Sequence, residues 1–277
     1  MSPEDFHTDN QKATSEDIPA PETAERAGYN PVEDISSLAH LLPAAADQLI
    51  AIKASPVTTH YVHPDYPHLY IKASAIEQVG TRADDQQRRY DAYRNLNVEG
   101  LTVLPFTHVS DTDTLYIVTQ KLNGESLATL LPAHPELAER YDKVAARLLD
   151  HLSSLRGKDI YIPFDVFGAN QYMWGTPSGQ DSDPQITFVD IESSGDGLTE
   201  NGTELVEGRD FVSFLNVVAY QIIADEELSG RQLAATRDSL ARQLELLRQT
   251  DSTGSVPEYI NDIERAMRTG DKGILEY

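Results

Sequence analysis

The sequence predicts an α+β protein in two lobes, a small strand-rich one followed by a mostly helical one. Three observations carry this. Up to about residue 119, short runs alternate apolar and polar residues, the period of a half-buried strand. Beyond Gly124, apolar residues recur at steps of three and four, the period of an amphipathic helix. Between them, Gln120-Lys-Leu-Asn-Gly124 follows neither pattern and reads as a hinge.

The chain opens on a polar segment. Residues 1–35 hold nine acidic residues against Lys12 and Arg26, with Phe6 and Tyr29 as the only aromatics. Such a segment cannot bury enough apolar surface to offset its ordering entropy, so residues 1–34 are expected to be a disordered acidic tail. Ile35, Leu38, Leu41 and Leu42 then suggest a short helix interrupted near Pro43. Strands are expected at 48–53, 58–62 and 69–73, with turn chemistry at Ser55-Pro56 and His63-Pro64-Asp65. His60, His63, Asp65 and His68 do not read as a metal cluster, because alternating strand faces and a Pro-containing turn keep them from converging. A helix over 83–96 carries Tyr90, Tyr93 and Leu96 on one side. Strands at 101–105 and 114–119, joined by a polar turn through Asp111 and Asp113, complete a five-stranded lobe spanning 35–119.

Residues 120–277 form the hinge and the second lobe. Leu137, Tyr141, Val144, Leu148, Leu152 and Leu155 mark a long helix stopped by Gly157. A hairpin follows from Asp159 to Glu192, overlapping an acidic stretch at 181–210 that has nine carboxylates and one arginine and reads as an exposed loop. Phe211–Ala224 is nearly all apolar and must be buried as a helix, with Asp210 as its N-cap. Leu233, Leu240, Leu244 and Leu247 mark another helix, and Tyr259, Ile260, Ile263 and Met267 a last short one.

Composition narrows the function. With 40% apolar residues in 277, a substantial core is within reach. A net charge of −23 argues against a nucleic-acid or anionic-membrane partner, since phosphate binding needs clustered Lys and Arg. No cysteine is present, which excludes thiolate nucleophiles and Cys-ligated zinc. No secretory signal is visible, and the densest apolar run, 211–224, is too short to span a bilayer. A cytoplasmic protein is expected; its oligomeric state is not legible.

The chemistry concentrates between Asp159 and Glu192. Asp165 is followed five positions on by Asn170, and a short strand, Ile186-Thr-Phe-Val, ends at Asp190. An aspartate can orient or deprotonate a hydroxyl, while an amide and a second aspartate hold metal ions against phosphate. Oxygen ligands suit Mg²⁺. The same Asp-x4-Asn spacing occurs at Asp5/Asn10 and Asp196/Asn201, but only Asp165 sits between apolar strands. The competing reading is a hairpin whose Asp and Asn merely form turns.

This order of elements resembles the protein-kinase-like fold, and most closely its aminoglycoside and choline phosphotransferase branch. Phe188-Val-Asp190-Ile-Glu192 is similar to that branch's metal-binding motif, and Leu115 to Leu127 to its final N-lobe strand, hinge and following helix. The resemblance spans roughly 48 to 224. It implies Asp165 as catalytic base, Asn170 and Asp190 as Mg²⁺ ligands, and Lys72 as the third-strand lysine that contacts phosphates. Ile-Lys-Ala-Ser occurs twice, and Lys72 is preferred over Lys53 because two strands precede it and a helix follows. Gln120 and Leu122 fall at the nucleotide-contacting hinge. Three departures stand out. Pro163 replaces the usual histidine two before Asp165, and no glycine occurs between Gly28 and Gly80, which leaves the hydroxyls of Ser55, Thr58 and Thr59 to meet phosphate. The helix after Lys72 lacks a well-placed glutamate, so Asp91 is the best-spaced partner. The implied activity is ATP- and Mg²⁺-dependent transfer to a hydroxyl acceptor, a small molecule or a protein, the former favoured. The alternative is a pseudokinase-type binding module with weak or no transfer.

Overall fold

The structure is a computed structural model that describes residues 30–55, 58–76, 90–156, 166–189, 209–250 and 256–275. The acidic tail, the first half of the helix expected at 83–96, and both Asp165 and Asp190 lie outside the described residues. The described part is α+β, strands dominating the N-terminal half and helices the C-terminal half.

Helix α1 (Pro31–Leu41) starts on sequence signals alone. The Asn30 side chain accepts from the Val32 amide at 3.2 Å, Pro31 occupies the first turn, and Glu33 and Asp34 complement the helix dipole there. Its buried residues Ile35 and Leu38 pack with Leu42 onto Leu69, Ile71, Ala73, Tyr116 and Val118.

Among the described residues nine strands follow: β1 (Ile50–Ala54), β2 (Thr58–His63), β3 (Tyr66–Ala75), β4 (Leu101–Val103), β5 (Phe106–Ser110), β6 (Thr114–Gln120), β7 (Leu122–Ser126), β8 (Tyr172–Pro177) and β9 (Gln185–Phe188). The first sheet is five-stranded and antiparallel, in the order β1-β2-β3-β6-β5. The expected strand at 101–105 is not part of it. Its first three residues, β4, run parallel to β9 in a second sheet of order β4-β9-β8-β7. Residues 106–110, expected to begin a turn, take the vacant place. Pro105 explains the exchange: with no N–H to donate and φ fixed, it ends one strand and lets the chain leave in a new direction. Its carbonyl accepts from Thr119 Oγ1 at 3.0 Å, pinning the corner to β6.

The expected hinge is narrower than 120–124, because Leu122–Ser126 is strand β7, paired with β8. Gly124 lies opposite Gly175. A Cβ built on Gly124 would stand 2.6 Å from the Gly175 Cα, so the two strands approach only because both side chains are missing.

Helices α2 (Leu127–Leu130), α3 (Pro135–Ser153), α4 (Arg209–Ser229), α5 (Ala234–Thr250) and α6 (Val256–Thr269) make the second half. In α3 the predicted stripe Leu137, Tyr141, Val144, Leu148 and Leu152 is buried. Helix α4 outruns the predicted 211–224 at both ends, so Asp210 lies within it. The C-terminal extension is stabilised by polar partners. Glu226 accepts from Arg237 Nε at 2.6 Å, and Asp225 is taken up in the interior as described below. One core runs from Tyr90, Tyr93, Phe106 and Ile117 beneath the first sheet into the helices. Among the described residues, no helix is long and apolar enough to cross a membrane.

Candidate functional site

The two faces of the first sheet differ chemically. Directly paired residues share a face, so Tyr61, Ile71 and Val118 look toward α1 while His60, Lys72, Ile117 and His108 look away from it. At the β5 end this second face is covered: the Tyr90 ring lies tilted over His108 at 4.5 Å between centroids and meets Phe106 edge-on at 5.8 Å. Burial, with Arg94 nearby, pushes His108 below its ordinary pKa. Toward β1 the same face turns polar, and half-buried Lys72 lies on it, on the third strand, between His60 and Ile117.

The hydroxyls expected to meet phosphate are engaged locally. Ser55 Oγ donates to the Thr58 carbonyl at 3.1 Å and accepts from the Thr58 amide at 3.0 Å, closing the β1–β2 turn. Thr58 Oγ1 and Ser74 Oγ are 3.0 Å apart. Thr59 pairs with Ala73 and therefore faces α1. Asp91, on the helical residues 90–94, takes the Arg94 guanidinium at 3.0 Å.

The crossing between sheets is clamped on both sides. The Lys121 amide donates to the His68 carbonyl at 2.8 Å, and the Lys121 carbonyl accepts from Ser178 at 2.8 Å. Gln120 is buried, its Nε2 donating to the Ser178 carbonyl at 2.9 Å. It is a tie between the sheets, with its side chain turned inward. Leu122 follows, half-buried, at the start of β7.

The turn between Asp165 and β8 is held by buried groups. Gly168 has φ +108°, a conformation that glycine alone adopts without strain. The Ala169 amide donates to Asp225 Oδ1 at 3.0 Å and Oδ2 at 3.1 Å, and the Tyr141 hydroxyl donates to Asp225 Oδ2 at 2.5 Å. The Tyr172 hydroxyl donates to the Val166 carbonyl. Asp225 is 6% exposed, and burial raises its carboxyl above the ordinary pKa despite these donors. Burial, then the Asp225 charge, pushes the Tyr141 phenol well above its own, so the shared proton stays on tyrosine. Asn170, next in the chain, is exposed. The Val189 amide donates to the Gln171 carbonyl at 3.1 Å, bringing the chain just before Asp190 against the chain just after Asn170.

Asn170 is exposed, whereas Gln171 Oε1 beside it and Thr187 Oγ1 on β9 are buried and without a hydrogen-bond partner among the described residues. The amide and carboxylate oxygens that Asn170 and Asp190 would supply suit Mg²⁺ and not a thiophilic metal. No group of three His, Cys, Asp or Glu side chains that could hold a metal ion gathers among the described residues. The sequence reading missed Asp225, Tyr141, Tyr172 and Gly168. Gly168 was detectable as a glycine inside the Asp165–Asn170 spacing, and Asp225 as a lone acid ending an apolar helical run. No protein-family model and no curated protein matches the sequence.

Proposed function

We propose that the chain is a phosphotransferase of the kinase-like, two-lobed kind, moving the γ-phosphoryl group of ATP to the hydroxyl of a small molecule with Mg²⁺. The hydrogen bond from Val189 to the Gln171 carbonyl carries this reading, because it ties the turn bearing Asn170 to the strand that leads into Asp190. Lys72 on the third strand of a five-stranded antiparallel sheet, joined by a clamped crossing to that hairpin, supports it.

In this reading Asp165 orients the acceptor hydroxyl and takes its proton, and Lys72 binds phosphate oxygens. Asn170 and Asp190 would hold Mg²⁺, whose charge offsets that of the phosphates. The protein's part is positioning and electrostatic stabilisation. Asp225, Tyr141 and Tyr172 fix the backbone of residues 166–169, next to the proposed base. The Asp190-Ile-Glu192 motif favours a small-molecule acceptor.

Thermal shift with Mg-ATP, then turnover against a panel of hydroxyl acceptors, tests the reading. At a hundredfold the Kd, bound nucleotide adds about 2.7 kcal/mol, on the order of 5–10 °C in Tm. Absence of any shift at millimolar Mg-ATP contradicts it. A second reading, a nucleotide-binding module without transfer, is favoured by the Asp91–Arg94 pair, which competes for the carboxylate best spaced to serve Lys72. Binding without turnover across the whole panel selects that reading.

A further inference from the structure

The sequence Ile-Lys-Ala-Ser occurs at 52–55 and again at 71–74. On alternation alone the two lysines have no fixed relation, but the ladder fixes one. β1 starts in regular register, Ile50 opposite Val62 and Ala51 opposite Tyr61. Continued unbroken, that register would set Lys53 opposite Thr59, on the face that α1 covers. The register instead slips between Ala51 and Lys53, so that Lys53 lies opposite His60 and Ala54 opposite Thr59. His60 is in turn opposite Lys72. Lys53, His60 and Lys72 therefore form one row on the face away from α1, the outer two separated by two strand spacings, about 9–10 Å.

The slip buries nothing. Every residue of β1 is exposed, and Ile50 and Ile52 are 53% and 51% exposed. Its consequence is to re-aim one cation, and bulges commonly re-aim side chains beside functional sites. The neighbouring hydroxyls of Ser55 and Thr58 are engaged in the turn and with Ser74, so Lys53 is the cation that the β1–β2 hairpin adds to this face. His60 is steadied between the lysines by a 2.7 Å hydrogen bond between its Nδ1 and the Tyr70 hydroxyl.

We propose that Lys53 is a second phosphate-contacting lysine, acting beside Lys72 on the β- and γ-phosphates of a nucleoside triphosphate, and that the bulge at Ile52 exists to aim it. The proposal rests on the phosphotransferase reading above. Isothermal titration of the full chain with Mg-ATP, Mg-ADP and AMP tests it, on wild type, Lys53→Gln, Lys53→Arg and a variant lacking Ile52. Loss of a charge-assisted contact predicts Mg-ATP binding weakened about tenfold or more in Lys53→Gln. Mg-ADP should be weakened less, AMP should stay within about twofold, and Lys53→Arg should restore most of the loss. Deleting Ile52 removes the extra residue and leaves Lys53 opposite His60 in an unbroken ladder, so this variant should bind Mg-ATP within about twofold of wild type, and a loss like that of Lys53→Gln would overturn the role of the row; should that deletion unfold the chain, Lys53→Gln and Lys53→Arg decide alone. Wild-type binding with an unchanged Kd in Lys53→Gln overturns the role of Lys53 and leaves the phosphotransferase reading standing. A Lys53→Gln loss as large for AMP as for Mg-ATP also overturns it. No Mg-ATP binding by wild type removes both.

Discussion

Replacing Asp225 by alanine should be among the most damaging single changes in the described part of this protein. The carboxylate accepts from the Ala169 amide and the Tyr141 hydroxyl, and both Asp225 and Tyr141 are buried. Alanine leaves two buried donors without an acceptor. Each stranded donor costs about 1–3 kcal/mol, so the change should cost about 2–6 kcal/mol. At roughly 2–4 °C per kcal/mol for a chain of this size, Tm should fall by about 5–20 °C. Tyr141→Phe removes the donor together with its bond and should cost only about 1 kcal/mol. The double variant should lose less than the sum of the two, because Asp225→Ala alone already strands the hydroxyl that Tyr141→Phe removes. Urea denaturation followed by circular dichroism measures all three. Additive losses, or a cost for Asp225→Ala below about 1 kcal/mol, would refute the view that this buried pair holds the 166–169 turn.

Three further outcomes are expected. Gly168→Ala places a Cβ 2.7 Å from Asn170 Oδ1 and 2.9 Å from Gln221 Oε1 at a φ of +108°, and should destabilise by about 1–3 kcal/mol or more; a neutral variant in urea denaturation would contradict the geometry. Because burial raises the Asp225 carboxyl above its reference value of 3.8, the native state binds that proton more tightly than the unfolded chain does. Wild-type stability relative to Asp225→Asn should therefore fall as pH climbs from about 3.8 through the raised native value and then level off; a relative stability that rises over that window in a pH series of urea titrations would be the wrong sign. Asp165→Asn should leave Mg-ATP affinity nearly intact while lowering turnover about 10²–10⁴-fold, and an equal loss of affinity and turnover would remove its assignment as base.

What could be read from the sequence was local. The leucines of α3 repeat at three and four, and their burial follows directly. Lys72 could be placed on the third strand because three alternating runs precede the helical residues. The β4/β5 exchange was not legible. Both 101–103 and 106–110 suit a strand, and the choice of sheet depends on pairing with residues 186–188, far along the chain. Alternation likewise cannot reveal the face of Lys53, which turns on a single slipped residue. Asp225 looked like the end of an apolar helix, since nothing in its neighbourhood announces a tyrosine hydroxyl contributed by residue 141.

Titrating ATP into wild type and Asp190→Asn, each with and without Mg²⁺, tests the phosphotransferase reading most directly. Wild type should bind ATP more tightly with Mg²⁺ than without it, and Asp190→Asn should lose most of that Mg²⁺-dependent gain while keeping the wild-type Tm within about a degree. Equal ATP affinity with and without Mg²⁺ in wild type, or an Asp190→Asn variant that binds Mg-ATP as wild type does, would contradict it.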